Sequence, residues 1–213
     1  KIKITNTNNT NLNVYGGYTA GDGNATNNTV ELAGGTVNGN LYGGALTHAG
    51  ATGNATNNTV TIKGGTVSGD VYAGFTNGAG ATTHNTVNIG DGTNPIAAGT
   101  SVTGTIYGGS GAAATGNVLN VNAKGLTAGS VANFEKIKFK IDSNVNDGDN
   151  VLTLTNNTNI VHSTIEEPTS AIISDWLGNT MEKTAHLIKM NGGTLTLTGY
   201  TSGSSRRRAG DVE

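Results

Sequence analysis

One eight-residue segment occurs twice in this chain of 213 residues, at 23–30 and again thirty residues later at 53–60. The similarity continues beyond it, since the sequence of 30–37 is closely repeated at 60–67 and that of 39–44 at 69–74. A fixed period of this length is typical of proteins that stack one supersecondary unit on copies of itself. The repeat therefore restricts the fold more than any other feature of the sequence.

The pattern inside each unit is that of short β-strands. Polar and apolar residues alternate over 59–62, which places Val60 and Ile62 on one face and threonines on the other. Glycine-rich turns end each strand, and no helical period appears in 1–125. A single unit has too few apolar residues to bury a face, so successive units must share one core. We predict an all-β fold, a right-handed parallel β-helix (β-solenoid).

Further units extend the repeat on both sides. Residues 1–22 match an incomplete unit, a third unit begins at 85–89 and closes at 104–109, and 117–121 starts a fourth. We therefore predict β-helix repeats over 1–125. The pairs Asn27-Asn28 and Asn57-Asn58 precede strands, where asparagine tolerates left-handed backbone at a corner. Stacked on one another, these residues are expected to form a ladder of amides.

The sequence becomes less regular from Leu126 onward. Residues 131–141 are predicted as one long alternating strand, with Ile137, Phe139 and Ile141 inside and lysines outside. We interpret 126–200 as further coils or a capping region, because an uncovered last coil leaves a bare strand edge. Residues 201–213, rich in serine, glycine and arginine, are predicted to be a flexible tail.

Composition excludes several classes of protein. Cysteine is absent, so disulfides and cysteine-based metal sites are excluded, and the net charge of −2 disfavours nucleic acid as a partner. No apolar run approaches the roughly 20 residues of a membrane helix. The sequence begins directly with a strand-like segment and without methionine, which suggests a piece processed from a longer chain.

The repeated unit resembles the passenger segments of bacterial autotransporters, the surface proteins of type V secretion. The resemblance lies in Asn-Asn-Thr-Val followed by Gly-Gly-Thr-Val and Tyr-Gly-Gly, and in the segments 131–139, 148–154 and 185–189. It implies a β-helix displayed at the outer membrane, with an autochaperone-like cap over 126–200 and a membrane barrel in the parent chain. It also implies a role in cell adhesion, aggregation or biofilm formation.

One tyrosine recurs in each predicted coil. Counting by two from Val67 directs the side chain at position 72 outward, so the rings should form an exposed ladder. Flat amphipathic rings suit sugar faces or a protein partner. The other interpretation is that the stacked rings only stabilise the coils. The candidate binding residues are Tyr15, Tyr42, Tyr72 and Tyr107.

We therefore expect a non-catalytic adhesin segment that binds a host surface protein or glycan, or associates with like chains. No cofactor, no metal, no nucleic acid and no membrane contact by this segment are expected, and a structural stalk or folding cap is the alternative. An ice-binding face is disfavoured because Glu31 and Asn88 interrupt the threonine array. A polysaccharide-cleaving β-helix is disfavoured because 1–125 lacks paired carboxylates. We expect Glu31 and Lys63, placed at equivalent positions of two coils, to form a surface ion pair.

Overall fold

The computed structural model describes residues 1–5, 12–92, 96–111, 115–166, 183–199 and 201–202, and these residues contain β-strands and no helix. Accordingly, no helix in this part of the chain is long and apolar enough to cross a membrane. All strand pairs among the described residues are parallel. The strands are β1 (Ile2–Ile4), β2 (Val14–Thr19), β3 (Thr29–Val37), β4 (Leu41–Leu46), β5 (Thr59–Val67), β6 (Val71–Thr76), β7 (Thr86–Ile89), β8 (Ser101–Gly109), β9 (Val118–Val121), β10 (Leu126–Ala132), β11 (Lys136–Phe139), β12 (Asp149–Leu154), β13 (Thr158–Val161), β14 (Thr164–Glu166), β15 (Ala185–Met190), β16 (Leu195–Thr198) and β17 (Thr201–Ser202).

Three stacks of parallel strands organise the molecule. Stack A consists of β1, the first halves of β3 and β5, then β7, β9, β11, β14 and β17. Stack B consists of the second halves of β3 and β5, the first parts of β8 and β10, then β12 and β15. Stack C consists of β2, β4, β6 and the second parts of β8 and β10. Strands β13 and β16 pair in a separate two-stranded sheet, with β13 beside β10.

Registers within the stacks follow the sequence repeat. In stack A, Val60 pairs with Val30 on one side and with Val87 on the other, as the alignment of the sequence repeats predicts. Parallel strands joined by returning connections of about one repeat are compatible with a β-solenoid. The inward-facing valine, leucine and isoleucine side chains of successive strands form one buried core. Each added strand therefore buries its apolar side chains against those of its neighbours.

The corner before stack A confirms the predicted role of asparagine. Asn27 and Asn57 have left-handed backbone, with φ of 60° and 57°. The residues after them, Asn28 and Asn58, start the expected amide ladder, in which the Asn28 side-chain amide donates to Asn58 Oδ1 at 3.0 Å. Asn85 and Asn117 extend the ladder by two levels. Asn58, Asn85 and Asn117 are fully buried, so the ladder satisfies polar groups that water cannot reach.

The glycine two residues after the repeated tyrosine makes room for this ladder. A Cβ added at Gly44 would lie 2.5 Å from Asn58 Nδ2, and one at Gly74 would lie 2.4 Å from Asn85 Nδ2. Such distances are far below van der Waals contact, so no larger residue fits without displacement. The glycines are thus required by the packing of the adjacent asparagine.

The region after residue 125 differs in part from the prediction. The predicted long strand 131–141 is wrong, because it is broken at Asn133, whose φ is 60°, into β10 and β11. The inward placement of Ile137, Phe139 and Ile141 is confirmed, since each is at most 6% exposed. Strands β10 to β17 continue the stacks, and the boundary between repeats and cap stays a prediction. Of the predicted tail, Thr201–Ser202 pairs with β14, and the rest lies outside the described residues.

Candidate functional site

The four predicted tyrosines lie on consecutive levels of stack C. Tyr42 pairs in register with Tyr15 on one side and Tyr72 on the other, and Tyr72 pairs with Tyr107. The residues just before them in β4, β6 and β8, Leu41, Val71 and Ile106, are fully buried in the core. Because side chains alternate along a strand, the tyrosines point away from that core. Strand register and alternation alone therefore place all four rings in one column.

The rings of this column are stacked face to face. Ring centroids are separated by 4.8 Å between Tyr15 and Tyr42, 5.3 Å between Tyr42 and Tyr72, and 4.6 Å between Tyr72 and Tyr107. Interplanar angles are 5° to 8°. The spacing matches the ~4.8 Å between neighbouring strands, so the backbone imposes it. The predicted stacking is confirmed.

The expectation that the column is exposed fails at Tyr42, which is only 6% exposed. Its two faces are covered by Tyr15 and Tyr72, and the Phe75 ring packs against it at 5.3 Å with an interplanar angle of 69°. The other three tyrosines are half-buried. At Tyr42 and Tyr72, stacking covers both ring faces and leaves only the ring edges for contact with a partner.

Two further aromatic residues belong to the same surface and were missed by the sequence reasoning. Tyr18 and Phe75 each follow a column tyrosine by three residues, and both align with Ala45 in the register of stack C. Tyr18 contacts Tyr15 edge-on at 5.0 Å and is 55% exposed. The alignment of the repeats could have shown that Tyr18 and Phe75 occupy equivalent positions. The unit between them has Ala45 at this position, so no aromatic repeat is visible in the sequence.

Three of the tyrosine hydroxyls are anchored by the residue two positions earlier. Asn13 and Asn40 donate their side-chain amides to the hydroxyls of Tyr15 and Tyr42, at 3.1 Å and 2.9 Å. At the next level Asp70 replaces asparagine, and the Tyr72 hydroxyl donates to Asp70 Oδ2 at 3.3 Å. The hydroxyls of Tyr15 and Tyr42 thus act as acceptors here, while that of Tyr72 acts as a donor.

The same residues form a second ladder along the corner before stack C. Asn13 Oδ1 accepts the backbone N–H of Asn40 at 2.8 Å, and Asn40 Oδ1 accepts that of Asp70 at 2.7 Å. Asp70 Oδ1 in turn accepts the backbone N–H of Thr105 at 2.8 Å. The hydroxyls of Tyr15, Tyr42 and Tyr72 are therefore attached to a continuous hydrogen-bonded edge.

Electrostatics keep the inner tyrosines neutral. Burial raises the pKa of the Tyr42 hydroxyl, with smaller effects from Tyr15 and Asp70, while the Asn40 hydrogen bond acts in the opposite direction. Burial also raises the pKa of Tyr72, and the Asp70 carboxylate adds to this effect. A phenol beside a carboxylate resists ionisation because two negative charges would lie in contact. Tyr42 and Tyr72 thus present neutral hydrogen-bonding groups.

The remaining predicted groups have ordinary partners. The ion pair between Glu31 and Lys63 is confirmed, at 3.6 Å, but its surface position is not, because Glu31 is buried. The assumed equivalence of the two positions is wrong, because Glu31 pairs in register with Thr61. At the start of β12, Asp149 Oδ2 accepts from the backbone N–H of Asn146 and pairs with Lys124. Within the described ranges, no three histidine or acidic side chains converge in a way that could hold a metal ion.

The three stacks and the aromatic surface can be compared with what is known of other proteins. Comparisons with protein-family models, with curated proteins and with solved structures found no match to this chain. Its function is therefore inferred from the strand stacks and from the columns of outward side chains.

Proposed function

We propose that this chain is a non-catalytic segment of a bacterial surface protein and attaches cells to a host surface or to one another. The observation that carries the proposal is the repetition of outward side chains in register, of which the column Tyr15, Tyr42, Tyr72 and Tyr107 is the longest aromatic example. Such a surface presents the same chemical group at every level. Neither a cofactor nor a metal is part of the proposal.

The proposed fold is a right-handed parallel β-helix. Parallel strands joined by crossover connections in one sheet are right-handed in nearly all proteins, because a twisted strand returns onto its sheet only in that sense. In this geometry stacks A, B and C form three lateral faces, each with its own columns. The parent chain would display these faces outside the cell, with its membrane anchor elsewhere.

Many weak contacts in register would supply the binding energy. Stack A carries an outward column of threonines, Thr29, Thr59 and Thr86, and stack C carries the tyrosines. Successive groups lie ~4.8 Å apart, so a partner with repeated groups engages several levels at once. Once the first contact has formed, each further contact is intramolecular and forms at high effective concentration.

The stacked rings favour one mode of contact over another. Sugar rings usually pack on aromatic faces, whereas the faces of Tyr42 and Tyr72 are covered by neighbouring rings. Edges and hydroxyls stay available at the half-buried positions Tyr15, Tyr72 and Tyr107. Contact through hydroxyls suits a polar protein surface, a like chain or the hydroxyl groups of a glycan.

The test compares the wild-type chain with a variant in which all four column tyrosines are replaced by phenylalanine. This change removes the hydroxyls and keeps the stacked rings, so the fold is retained. Sedimentation velocity measures self-association, and a glycan array with immobilised host-cell protein measures binding. A matched control replaces Thr29, Thr59 and Thr86 by valine, which removes three hydroxyls from stack A.

Loss of association or binding in the phenylalanine variant, with retention in the valine variant, is the expected result. Loss only in the valine variant would move the contact surface to stack A. A wild-type chain that stays monomeric and binds nothing would refute attachment by this segment. In that case the second candidate, a structural stalk or folding cap, gains support from the buried asparagine ladder, which stiffens the column without needing a partner.

A further inference from the structure

The tyrosine column ends at Tyr107, and one face of this last ring is not covered by any aromatic ring that the structure describes. Tyr107 stacks on Tyr72 at 4.6 Å on one side, and the next residue in register on the other side is Ala132. A methyl group therefore stands at the level where the column would place its next phenol ring. The place of that ring is open, and its height is one level, ~4.8 Å.

The level after Ala132 supplies a second wall. Ala132 directly precedes the left-handed corner residue Asn133, with φ of 60°, and Val161 directly precedes the corner residue His162, with φ of 50°. Val161 therefore takes the position of Ala132 in the neighbouring strand β13, and its side chain is 43% exposed. Tyr107 and Val161 are thus two levels apart, about 9.6 Å, with a single methyl group between them. We call this space, bounded by Tyr107, Ala132 and Val161, the ring slot.

Two polar groups beside the ring slot have unused hydrogen-bonding capacity. The hydroxyls of the other three column tyrosines are anchored, whereas that of Tyr107 makes no hydrogen bond to the described residues. Asn159 is exposed and lies two residues before Val161, so it projects from the same side of β13. Its Oδ1 accepts from the Thr198 hydroxyl at 3.0 Å, but its two amide N–H groups have no acceptor in the described part of the chain. A hydroxyl and an amide are therefore free to bind a ligand.

The chemistry of these groups restricts the ligand. None of the four residues is charged, so the ring slot favours a neutral ligand. A plain aromatic ring would fit between the walls but would leave the Tyr107 hydroxyl and the Asn159 amide without partners. A pyranose ring has C–H faces that pack on the phenol and on Val161, and a rim of hydroxyls that reaches both polar groups. A few polar groups at the edge of apolar walls are typical of small-ligand sites.

We infer that the ring slot binds one pyranose ring of a neutral glycan, stacked on the free face of Tyr107 and lying over Ala132. This inference rests on the function proposed above, because it names the class of ligand that the tyrosine column takes. A ring placed midway between the walls lies ~4.8 Å from each, close to the 4.6 to 5.3 Å between the stacked tyrosines. One aromatic face and two polar groups predict weak, millimolar affinity for a single sugar, which multivalent display would raise.

The test is titration of the isotope-labelled chain with the methyl glycosides of glucose, galactose and mannose, and with N-acetyltyrosinamide as an aromatic probe. Two-dimensional NMR follows the methyl groups of Val161. Tyr107→Leu removes the aromatic face and should weaken binding about fivefold or more. Ala132→Leu fills the ring slot and should abolish the response while all four column tyrosines stay in place. Circular dichroism checks the fold, and if one of these variants does not fold, the other decides.

The matched control is Ala98→Leu, which adds the same side chain at an exposed alanine in the loop before β8. The inference holds if a glycoside shifts the Val161 methyl signals, the folded slot variants weaken that response and the control keeps it. It fails if no glycoside shifts these signals, if the response persists in a folded slot variant, or if only the aromatic probe produces it.

Attachment is scored separately on the same wild-type chain. If the chain binds host-cell protein or self-associates in sedimentation but shows no glycoside response, the proposed function stands and the ring slot is refuted. If neither attachment nor a glycoside response is found, both are refuted.

Discussion

The side-chain carbonyl of Asn85 accepts two hydrogen bonds from Asn58, one from its backbone N–H at 2.9 Å and one from its side-chain amide at 3.2 Å. Asn85 repeats the arrangement as donor to Asn117, at 2.9 Å and 3.3 Å. Each asparagine thus closes the corner of one unit with the side chain of the next. Buried polar groups at three successive levels depend on one another.

Replacing Asn85 by alanine should destabilise the chain strongly. The substitution removes the partner of the Asn58 backbone N–H and of the Ala55 carbonyl, in a site that is 0% exposed, while Asn117 Oδ1 keeps the bond from the backbone N–H of residue 85. Each buried unsatisfied group costs about 1–3 kcal/mol, so we expect a loss of about 2–6 kcal/mol. Urea unfolding followed by circular dichroism measures it.

A matched asparagine outside the buried ladder provides the control for that experiment. Asn24 Oδ1 accepts the backbone N–H of Asn54 at 2.8 Å, but this contact is exposed to solvent. Water can replace the lost acceptor, so Asn24→Ala should cost less than about 1 kcal/mol. Equal losses for the two variants would show that the buried ladder is not a special source of stability.

Gly74→Ala should be among the most damaging single-methyl changes. Its Cβ would meet Asn85 Nδ2 at 2.4 Å and the Ala55 carbonyl oxygen at 2.5 Å, so the ladder or the strand must shift. Overpacking of this kind costs about 1–3 kcal/mol. Gly21→Ala, where an added Cβ has no neighbour within 4 Å, is the control for thermal unfolding. A harmless Gly74→Ala would mean that the packing at this corner is loose.

Substitutions at Tyr42 separate ring packing from the hydroxyl. Tyr42→Phe keeps both stacked contacts and loses only the bond from Asn40, so we expect a cost of about 1 kcal/mol. Tyr42→Ala removes a buried ring from between two others and should cost about 3–5 kcal/mol. Denaturant unfolding of both variants checks the difference. Similar costs would mean that the hydroxyl, not the ring, stabilises the column.

Stability should fall in alkali because of Tyr72. Its folded-state pKa is raised by burial and by Asp70, so the folded chain holds this proton at a pH where the unfolded chain releases it. The contribution is complete below the ordinary tyrosine pKa of about 10 and is lost progressively as the pH rises above it. Melting temperatures of the wild type and Tyr72→Phe, measured on both sides of that pH, should show a shallower decline for the variant. Parallel declines would assign the effect to other groups.

Several structural features could be read from the sequence because each depends on local periodicity. The alternation of polar and apolar residues over 59–62 identified the buried face of the strand. The repeated sequence around Val30 and Val60 predicted the register of stack A. Left-handed backbone at Asn27 and Asn57 followed from the residue type and its position before a strand. Stacking of the tyrosines followed from register alone.

Other features depend on packing between units and could not be read in this way. The break at Asn133 lies inside a region in which polar and apolar residues alternate well. In the next strand of stack A, Ile137 pairs with Leu119, which is only 18 residues earlier in the chain. The burial of Tyr42 comes from Tyr15 and Tyr72 over its two faces together with Phe75, all from neighbouring levels of the stack. Contacts between side chains of different levels therefore decide the exposure of Tyr42.

The direction of the strand pairing has a mechanical consequence. Backbone hydrogen bonds such as those between β3 and β5 join one level to the next, and so they run along the stacking direction. A force that pulls the two ends of the stack apart loads the levels in series, so they should open one after another rather than together. Each opened unit of the thirty-residue repeat would release about 100 Å of extended chain. The segment would then lengthen under load while the remaining units stayed paired.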